Sequence, residues 1–497
     1  MGFFNSWCRE DNYGFVKESS GQLYMVEYSS PNTNKPLHLG HLRNNFLGWS
    51  IAEILKLQGN EVVKTCIVND RGIHICKSMI AWQLFANGAT PESSHKKGDH
   101  FVGDYYVKYN DAYKAQVAEL VAGGMMQETA EKEAPILKGA QEMLLKWEQG
   151  DAATLDLWKK MNAWVYEGFE VTYKKIGSDF FKTYYESNTY LLGKELVEEG
   201  LTKKVFYQKE DSSVWIDLTP DGLDEKIVRR KDGTSVYMTQ DIGLAQLKQK
   251  EFNTDASIYV VGDEQNYHFK VLKLICQKLK QPAADGIYHL SYGMVELPTG
   301  KMKSREGTVV DADDLVDEMI NISKEKTEAL GKVSDFTKKQ LTELYNTIGL
   351  GALKFFLLRV DPKKKMIFNP EESIDFHGFT GPFIQYTHAR IKSILRKTGT
   401  AVSITPNELL PLEKQLAIEL STFPAIVNEA AENLDPSKLA IYAFNLAKLF
   451  NTFYAEHSIS NAESEIKKQL RIQLGILTAA TLQKAMSALG IAVPEQM

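Results

Sequence analysis

The chain has 497 residues, which is enough for about three domains of ordinary size. Hydrophobic residues make up 43% of the chain and charged residues 25%, so the composition is that of a globular protein and excludes a disordered or fibrous one. The formal net charge of −6 excludes nucleic-acid binding through bulk positive charge, so any such binding must depend on local basic patches.

Cysteine spacing and the first residues bear on metal content and location. Four cysteines are scattered without a C-x-x-C pair, which argues against a zinc site, and no metal-ligating residue is predicted. Residues 1–15 lack the basic and apolar regions of a secretory signal, and no run of 18 apolar residues is present. We therefore expect a cytoplasmic protein that does not associate with membranes.

The first predicted elements form a strand–helix–strand unit. Residues 23–28 predict a strand, and a turn-rich loop follows it. A helix is predicted for residues 39–58 because Gly59 then ends it, and the β-branched residues 61–68 predict a second strand. Such a unit is typical of a parallel sheet of the Rossmann type.

The next part of the chain changes in character. Long mixed-charge segments with helical periodicity occupy residues 91–175, which predicts a helical insertion in the sheet domain. Strands return at residues 255–261 and 288–295, with a helix predicted at 268–280 between them. The sheet domain therefore continues beyond the insertion.

After about residue 371 the predicted strands stop. Helices are predicted at residues 383–397, 411–434, 436–457 and 462–490, punctuated by prolines. The predicted fold class is α/β, a Rossmann-like parallel-sheet domain with a helical insertion, followed by an all-α bundle. We expect a leading segment over residues 1–22, the sheet domain over 23–370 and the bundle over 371–497.

A His-x-Gly-His motif opens the first predicted helix. His38 and His41 are three residues apart, so their imidazoles fall on one face of the helix. A helix N-terminus offers unpaired amides and the positive end of a dipole, which favour phosphate, and Gly40 allows a flat ring to approach the backbone. Imidazole can donate to a phosphate oxygen as charge builds in a transition state. The alternative is a pair of histidines in a polar helix cap.

A second motif lies at residues 300–307, which read Gly-Lys-Met-Lys-Ser-Arg-Glu-Gly. A glycine-flanked loop with this many cations can close on a triphosphate and neutralise charge on a leaving pyrophosphate. By itself such a loop is more often simply solvated. Together with the His-x-Gly-His motif, it favours a nucleotide site.

The two motifs together resemble the signatures of the class I aminoacyl-tRNA synthetases, and more narrowly the chain resembles the arginyl-tRNA synthetases. The narrower likeness lies in residues 26–32 (VEYSSPN), 38–43 (HLGHLR), 237–243 (YMTQDIG), 381–390 (GPFIQYTHAR) and 435–454. It runs from about residue 22 to Met497. The resemblance implies a catalytic sheet domain and an anticodon-binding bundle. It also implies ATP-dependent activation of L-arginine with Mg²⁺, transfer to the 3′ end of tRNA(Arg), and a monomer.

The resemblance also assigns residues to the two small substrates. The expected arginine-binding residues are Glu27, Ser29, Asn32, Tyr237, Asp241 and Gln265. Asp241 and Tyr237 are expected to face the guanidinium, whose five donors form a rigid fork that the point charge of lysine cannot imitate. The others are expected to hold the α-amino and α-carboxyl end or to shape the pocket. Any one of these acids, taken alone, is equally well explained as a surface or helix-capping carboxylate.

The expected ATP-binding residues come from both motifs and one further helix. They are His38, Gly40, His41, His268, Lys301, Met302, Lys303, Ser304 and Arg305. Of these, His38, His41, Lys301 and Lys303 are the expected catalytic residues. His268 is equally well explained as a helix-start histidine.

Two departures from the family pattern concern the loop and the N-terminus. Lys301 is kept, but Ser304 stands where the family has a second lysine, and Lys303 is the candidate substitute. Family members usually begin with a module that binds the tRNA elbow, whereas only residues 1–22 precede the first predicted strand. Either the lineage lacks this module or the chain is truncated.

Binding of tRNA must be local, because the predicted bundle has no net charge over residues 375–497. The candidate cations are Arg390, Lys392, Arg396 and Lys397, which lie close together on one predicted helix. An ordinary solvated helix face is an equally good explanation of them. The aromatic residues Phe444, Phe450, Phe453 and Tyr454 have helical spacing, which favours core packing over base stacking.

Two other classes of protein fit parts of this pattern. One is a sister class I synthetase or a nucleotidyltransferase with the same nucleotide motif, although the lack of paired cysteines argues against the zinc-using cysteinyl type. The other is a tRNA-binding protein without catalysis, against which the intact His38, His41 and Lys301 argue.

Overall fold

The computed structural model describes residues 13–296, 298, 310–329, 331, 336–398 and 408–497. The predicted loop residues Lys301, Met302, Lys303, Ser304 and Arg305 lie outside this part of the chain, as does Cys8. The other three cysteines are buried free thiols.

Ten strands occur in the described residues. They are β1 Leu23–Glu27, β2 Glu61–Val68, β3 Lys182–Tyr185, β4 Tyr207–Gln208, β5 Val214–Ile216, β6 Lys226–Arg229, β7 Ala256–Gly262, β8 Ile287–Tyr292, β9 Val295–Glu296 and β10 Met366–Ile367.

Seventeen α-helices occur in the same residues. Those up to the end of the insertion are α1 Leu39–Leu57, α2 Ile73–Phe85, α3 Gly98–Ala122, α4 Gln127–Glu133, α5 Pro135–Glu148 and α6 Ala152–Ile176. Those that follow are α7 Glu186–Thr189, α8 Lys194–Thr202, α9 Tyr237–Phe252, α10 Asn266–Lys278, α11 Ala312–Ala329, α12 Lys338–Leu358 and α13 Pro370–Ser373. The C-terminal helices are α14 Gly381–Thr398, α15 Pro411–Glu432, α16 Ser437–Glu456 and α17 Glu465–Ala488.

The main sheet is parallel throughout and has the strand order β3-β2-β1-β7-β8. Strand β1 lies at its centre, where Leu23 pairs with Glu61 on one side and Tyr24 pairs with Ala256 on the other. The strand order reverses at β1, so the loops that follow β1, β2 and β7 meet at one edge. A ligand crevice is expected at this point of a doubly wound sheet.

The helical insertion follows the second strand. Helices α3 to α6 lie within residues 98–176, close to the predicted limits of 91–175. The insertion packs directly before the histidine motif: a Cβ on Gly103 of α3 would lie 2.8 Å from Cδ of Pro36. The insertion therefore forms one wall beside the start of α1.

A small antiparallel sheet, β4-β5-β6, was not predicted from the sequence. Val214, Ile216 and Val228 of its strands are buried in a second hydrophobic cluster with α10 residues such as Val271. Its strands have only two to four residues each, which is too short for the two-residue alternation to be recognised.

The C-terminal region consists of α14 to α17, and the four predicted helices are confirmed there. Phe450 and Phe453 are fully buried, so the core interpretation of these aromatic residues is correct. The region also contacts α1, because Ser50 donates a hydrogen bond to the carbonyl oxygen of Ala488 at 2.9 Å.

Arg43 lies on α1, two residues past the histidine motif, and is fully buried. Its guanidinium donates to the carbonyl oxygens of Gly293, Pro362 and Lys364 at 2.6, 3.2 and 2.9 Å. Burial lowers the pKa of Arg43 to about 10, which leaves it charged at neutral pH. This side chain ties α1 to the segments around β9 and β10.

The α/β fold with a parallel sheet, a helical insertion and a helical C-terminal region is confirmed, but one predicted strand is wrong. Residues 288–295 do not form a continuous strand: β8 ends at Tyr292, and β9 pairs instead with β10. The reason is a close backbone approach, since a Cβ on Gly293 would lie 2.6 Å from the main chain of Lys364.

Candidate active site

His38 and His41 form a reciprocal cap at the start of α1. Nδ1 of His38 accepts a hydrogen bond from the Gly40 amide, and Nδ1 of His41 accepts one from the His38 amide, each at 3.1 Å. The two ring centroids are 4.0 Å apart. Gly40 makes this possible, because a Cβ there would lie 3.0 Å from Cε1 of His38.

Both imidazoles are neutral in this setting. Burial lowers the pKa of His38 to about 3, with a contribution from the positive charge of Lys35, and lowers the pKa of His41 strongly. In a neutral ring whose Nδ1 accepts a hydrogen bond, the proton is on Nε2. The motif therefore offers two Nε2–H donors at a helix N-terminus, which is an arrangement suited to phosphate oxygens.

The chain that follows the predicted loop returns to this motif. Leu39 donates a backbone hydrogen bond to Val310, and Ala312 donates one to Leu37, at 3.1 and 3.0 Å. Asp311 forms an isolated antiparallel bridge with His38. The described end of the segment that contains residues 301–305 is therefore fixed beside the two histidines.

The turn between β1 and α1 has an unusual backbone. Ser29 and Ser30 have φ values of 81° and 41°, in the left-handed region that non-glycine residues rarely adopt. Asn44 holds the turn by accepting from the Ser29 amide at 2.5 Å and donating to Val260 at 2.7 Å. The Ser29 hydroxyl contacts Tyr173 at 2.7 Å, so it is already engaged within the protein. Asn44 is one of three adjacent polar residues of α1, residues 43–45, that are all buried, and no local pattern distinguishes its role.

A cavity of about 310 Å³ lies at the sheet edge, between the ends of β1 and β2 and the helix α9. It is lined by three predicted arginine-binding residues, Asn32, Tyr237 and Asp241. The other lining residues are Ile67, Asn69, Arg71, Gly72, Ile73, His74, Ile75, Glu186, Thr189, Gln240 and Leu244. The predicted residues Glu27, Ser29 and Gln265 do not line this cavity.

Asp241 and His268 are in direct contact. Oδ2 of Asp241 lies 2.7 Å from Nε2 of His268, and the side chains are 39% and 28% exposed. The predicted nucleotide contact His268 is thus placed against the acidic group of the cavity. Tyr237 begins α9 and is 72% exposed, so its phenol is open to a ligand.

Glu186 and Arg71 were missed by the sequence-based prediction. Burial raises the pKa of Glu186 to about 7, Arg71 lowers it, and Asp70 and Asp241 raise it. Arg71 stacks on Tyr190 at 4.0 Å and pairs with Glu148 at 3.0 Å. The cavity thus contains two carboxylates, Glu186 and Asp241, together with the guanidinium of Arg71, whose ion-pair partner Glu148 does not line the cavity. Glu186 and Asp241 are distant in sequence, and only the fold brings these two carboxylates into one cavity.

Glu27 makes a buried ion pair instead of lining the cavity. The ammonium of Lys248, on α9, contacts the carboxylate of Glu27 at the end of β1. Thr65 also donates to Glu27, at 3.4 Å. Glu27 therefore fixes the position of α9, the helix that carries Tyr237 and Asp241.

A charged cluster joins the insertion to the start of α11. Asp99, His100 and Asp313 each place a potential metal ligand within 4.8 Å of the others, the one such group in the described residues. Lys97 donates to Asp99 at 3.0 Å and also contacts Asp313, so an ammonium already supplies positive charge there. The cluster adjoins a cavity of about 230 Å³ that reaches His38.

The candidate tRNA-binding cations of α14 fall into two groups by their contacts. Arg390 donates to Asn451 at 2.8 Å and lies over the ring of Tyr386. Lys392 and Arg396 lie 3.1 and 4.0 Å from the carboxylate of Glu495, and Lys397 is exposed. The helix thus presents them in two directions.

Two known protein families match this chain. Residues 7–369 match the model described as tRNA synthetases class I (R), catalytic domain, and residues 384–497 match the DALR anticodon binding domain. The chain belongs to the arginyl-tRNA synthetases. A protein from Flavobacterium psychrophilum named arginine–tRNA ligase is 55% identical over 500 residues, which cover 100% of this chain and 83% of that protein. A protein of the same name from Bacteroides thetaiotaomicron is 54% identical and covers 98% and 83%.

Solved structures show the same fold at lower identity. The arginyl-tRNA synthetase of Thermus thermophilus matches with a TM-score of 0.82 at 24% identity, covering 99% of this chain and 86% of that one. The enzyme of Plasmodium falciparum matches with a TM-score of 0.76 at 18% identity, covering 100% and 83%. Within the described residues, no helix is both long and apolar enough to cross a membrane.

Proposed function

We propose that the chain activates L-arginine with ATP and transfers it to tRNA(Arg), with the cavity beside Asp241 and Glu186 as the arginine site. The observation that carries this proposal is a cavity with two carboxylates whose wall includes Asn32, in the same loop that leads into the helix start with two neutral imidazoles. Family membership supports the overall reaction, and the geometry supports the assignment of residues within it.

Arginine recognition depends on the fork of the guanidinium. Asp241 offers one carboxylate oxygen to His268 and keeps the other for the ligand. Glu186 supplies a second acceptor, and Tyr237 an exposed phenol. Two acceptors suit a planar group with five donors, whereas an ammonium can satisfy them only as a point charge. Asn32 lines the same cavity, and Gln265 and Ser29 remain proposals for the α-amino and α-carboxyl end.

The activation step takes place between the cavity and the histidine motif. A carboxylate oxygen of arginine attacks the α-phosphorus of ATP, and the bond to the bridging oxygen breaks to release pyrophosphate. We assign Nε2–H of His38 and His41 to phosphate oxygens, and Gly40 to the close approach of the nucleotide. Lys301, Met302, Lys303, Ser304 and Arg305 keep their proposed contacts with ATP. Because His268 contacts Asp241, we assign it to the arginine pocket. Its contact with the nucleotide is a separate proposal.

In the transfer step a ribose hydroxyl of the terminal tRNA adenosine attacks the carbonyl carbon of the adenylate, and AMP leaves. No covalent enzyme intermediate is required, so catalysis consists of positioning and charge stabilisation. Mg²⁺ enters as part of the substrate MgATP.

The remaining proposals concern location, oligomeric state, domain division and tRNA contacts. The described chain is proposed to act in the cytoplasm as a monomer, with a catalytic part up to residue 370 and an anticodon-binding part from residue 371. The two family models match on either side of that division. Arg390, Lys392, Arg396 and Lys397 remain the candidate tRNA contacts.

Aminoacylation with the cognate tRNA tests the function. Arginine, lysine, glutamine and cysteine are supplied separately as radiolabelled amino acids, with ATP and tRNA present in every reaction. Charging with arginine alone is the expected result. Absence of charging with all four amino acids, or preference for another one, would overturn the proposal.

A further inference from the structure

Asp70 is a buried carboxylate just after β2 that does not line the arginine cavity. The residue is 1% exposed. Its carboxylate accepts three hydrogen bonds, from the Tyr166 hydroxyl at 2.7 Å, the Ser187 amide at 2.8 Å and the Ser187 hydroxyl at 2.7 Å. Hydrogen bonds to an ionised acceptor at these distances are among the strong ones in proteins.

These donors come from two different parts of the fold. Tyr166 is on α6, the last helix of the insertion, whereas Ser187 is in α7, next to Glu186 of the cavity. The main-chain carbonyl of Asp70 receives two more hydrogen bonds from α6, from Trp158 at 2.6 Å and Asn162 at 3.1 Å. A single residue therefore links the insertion to the segment that carries a cavity carboxylate.

The next residue, Arg71, also connects the insertion to the region of α7. Arg71 lines the cavity, while its guanidinium pairs with Glu148 and lies 5.1 Å from the ring of Trp147, both on α5 of the insertion. It also lies over Tyr190, just beyond α7. Movement of the insertion would thus shift both the positive group and the negative group of the cavity.

We infer that Asp70 is a positioning residue for arginine recognition, through which the helical insertion sets the place of Glu186 in the cavity. The inference rests on the proposed arginine site. It follows from the contacts, because α7 has only four residues and Ser187 holds it to the carboxylate by two hydrogen bonds. A segment that short has no stable position of its own.

Removing single hydroxyls tests this with little risk to folding. Tyr166→Phe removes the bond from the insertion, and Ser187→Ala removes one bond from α7. Each change is expected to raise the KM for arginine about fivefold and to leave the KM for ATP and tRNA within about twofold. Tyr113→Phe is the matched control, because it removes a hydroxyl elsewhere on the insertion that donates to Glu131 at 3.0 Å.

The double variant tests whether both bonds act through Asp70. If they do, Tyr166→Phe with Ser187→Ala raises the KM for arginine by less than the product of the single effects. Asp70→Asn keeps the shape and removes the charge, and it is expected to raise this KM more than either hydroxyl change. Thermal unfolding of every variant is measured alongside.

The outcomes separate the two proposals. If the unaltered chain fails to charge tRNA with arginine, the proposed function fails. If it charges normally but the KM for arginine stays within twofold in both hydroxyl variants, only the positioning role fails. A parallel rise in the KM of arginine, ATP and tRNA would also overturn it, because a merely structural bond affects all three sites.

Discussion

Lys248 and Glu27 form an ion pair with almost no access to solvent, the side chains being 2% and 7% exposed. The ammonium also lies 5.3 Å from the ring centroids of Tyr184 and Tyr259. Breaking one side of such a pair leaves an uncompensated buried charge. We expect Lys248→Met to lower the free energy of unfolding by about 3–5 kcal/mol in urea denaturation.

The double variant Glu27→Leu with Lys248→Met removes both charges and should recover most of that stability. If the single and double variants were equally unstable, packing of the lysine stem rather than the ion pair would be the cause.

Asp241→Asn should weaken arginine recognition far more than ATP recognition. The change removes one negative charge from the acceptors of the guanidinium while keeping the side-chain shape, and no described contact joins Asp241 to the histidine motif. We expect the KM for arginine to rise at least about tenfold in aminoacylation, with the KM for ATP within about twofold. Asp156→Asn, an exposed position on the insertion, is the control. Equal losses for both substrates would contradict the assignment.

Glu186 should make arginine binding depend on pH near neutrality. Its pKa of about 7 means that the carboxyl is largely protonated at pH 6 and ionised at pH 8. The guanidinium favours the ionised form, so the affinity for arginine should rise with pH through 7 and level off above 8, by about tenfold in all. The measurement is the KM for arginine at several pH values. Glu186→Gln should flatten this profile; an unchanged profile would assign it to another group.

Glu495→Gln should strengthen tRNA binding if Lys392 and Arg396 contact phosphates. Glu495 holds both cations in exposed ion pairs, and its neutral form would release Lys392 and leave Arg396 only its hydrogen bond to the main-chain carbonyl of residue 495. The KM for tRNA should fall about twofold at low salt, and its salt dependence should become steeper. Lys397→Ala should act in the opposite direction. A KM for tRNA that is the same in all three proteins would remove this helix face from the tRNA interface.

The sequence was most informative where one local rule decides the structure. Residues 61–68 were predicted as a strand with the bounds that the structure gives to β2, because a β-branched run between turn residues allows little else. The histidine pair was predicted as a helix start because it lies between a turn-rich loop and a helical segment that Gly59 ends. By contrast, the end of β8 depends on a close approach between Gly293 and Lys364, which are 71 positions apart and which no local pattern connects.

The residues of the candidate site also separate into those that the sequence predicts and those that depend on distant contacts. Asn32, Tyr237 and Asp241 were predicted from the family likeness, and they do line one cavity. Glu186 and Arg71 were not predicted, because their surroundings are built by parts of the chain that are distant in sequence. Asp70 binds Tyr166 and Ser187, and Arg71 pairs with Glu148. Glu27 was predicted as a ligand contact, but its partner Lys248 lies 221 positions away in the sequence, so nothing local indicated that pair.

In the part of the chain that the structure describes, the guanidinium of Arg43 donates to three main-chain carbonyls and to no side chain. Every residue type carries the same carbonyl, so this contact is indifferent to what occupies positions 362 and 364. Those positions can therefore accept many substitutions without loosening the helix that presents the two histidines, provided that the backbone keeps its path. Arg43 has no such freedom, since lysine has a single ammonium and cannot span three acceptors in a plane. Of the residues that meet in this contact, Arg43 is therefore the one whose side chain is constrained, whereas positions 362 and 364 are constrained only in their backbone.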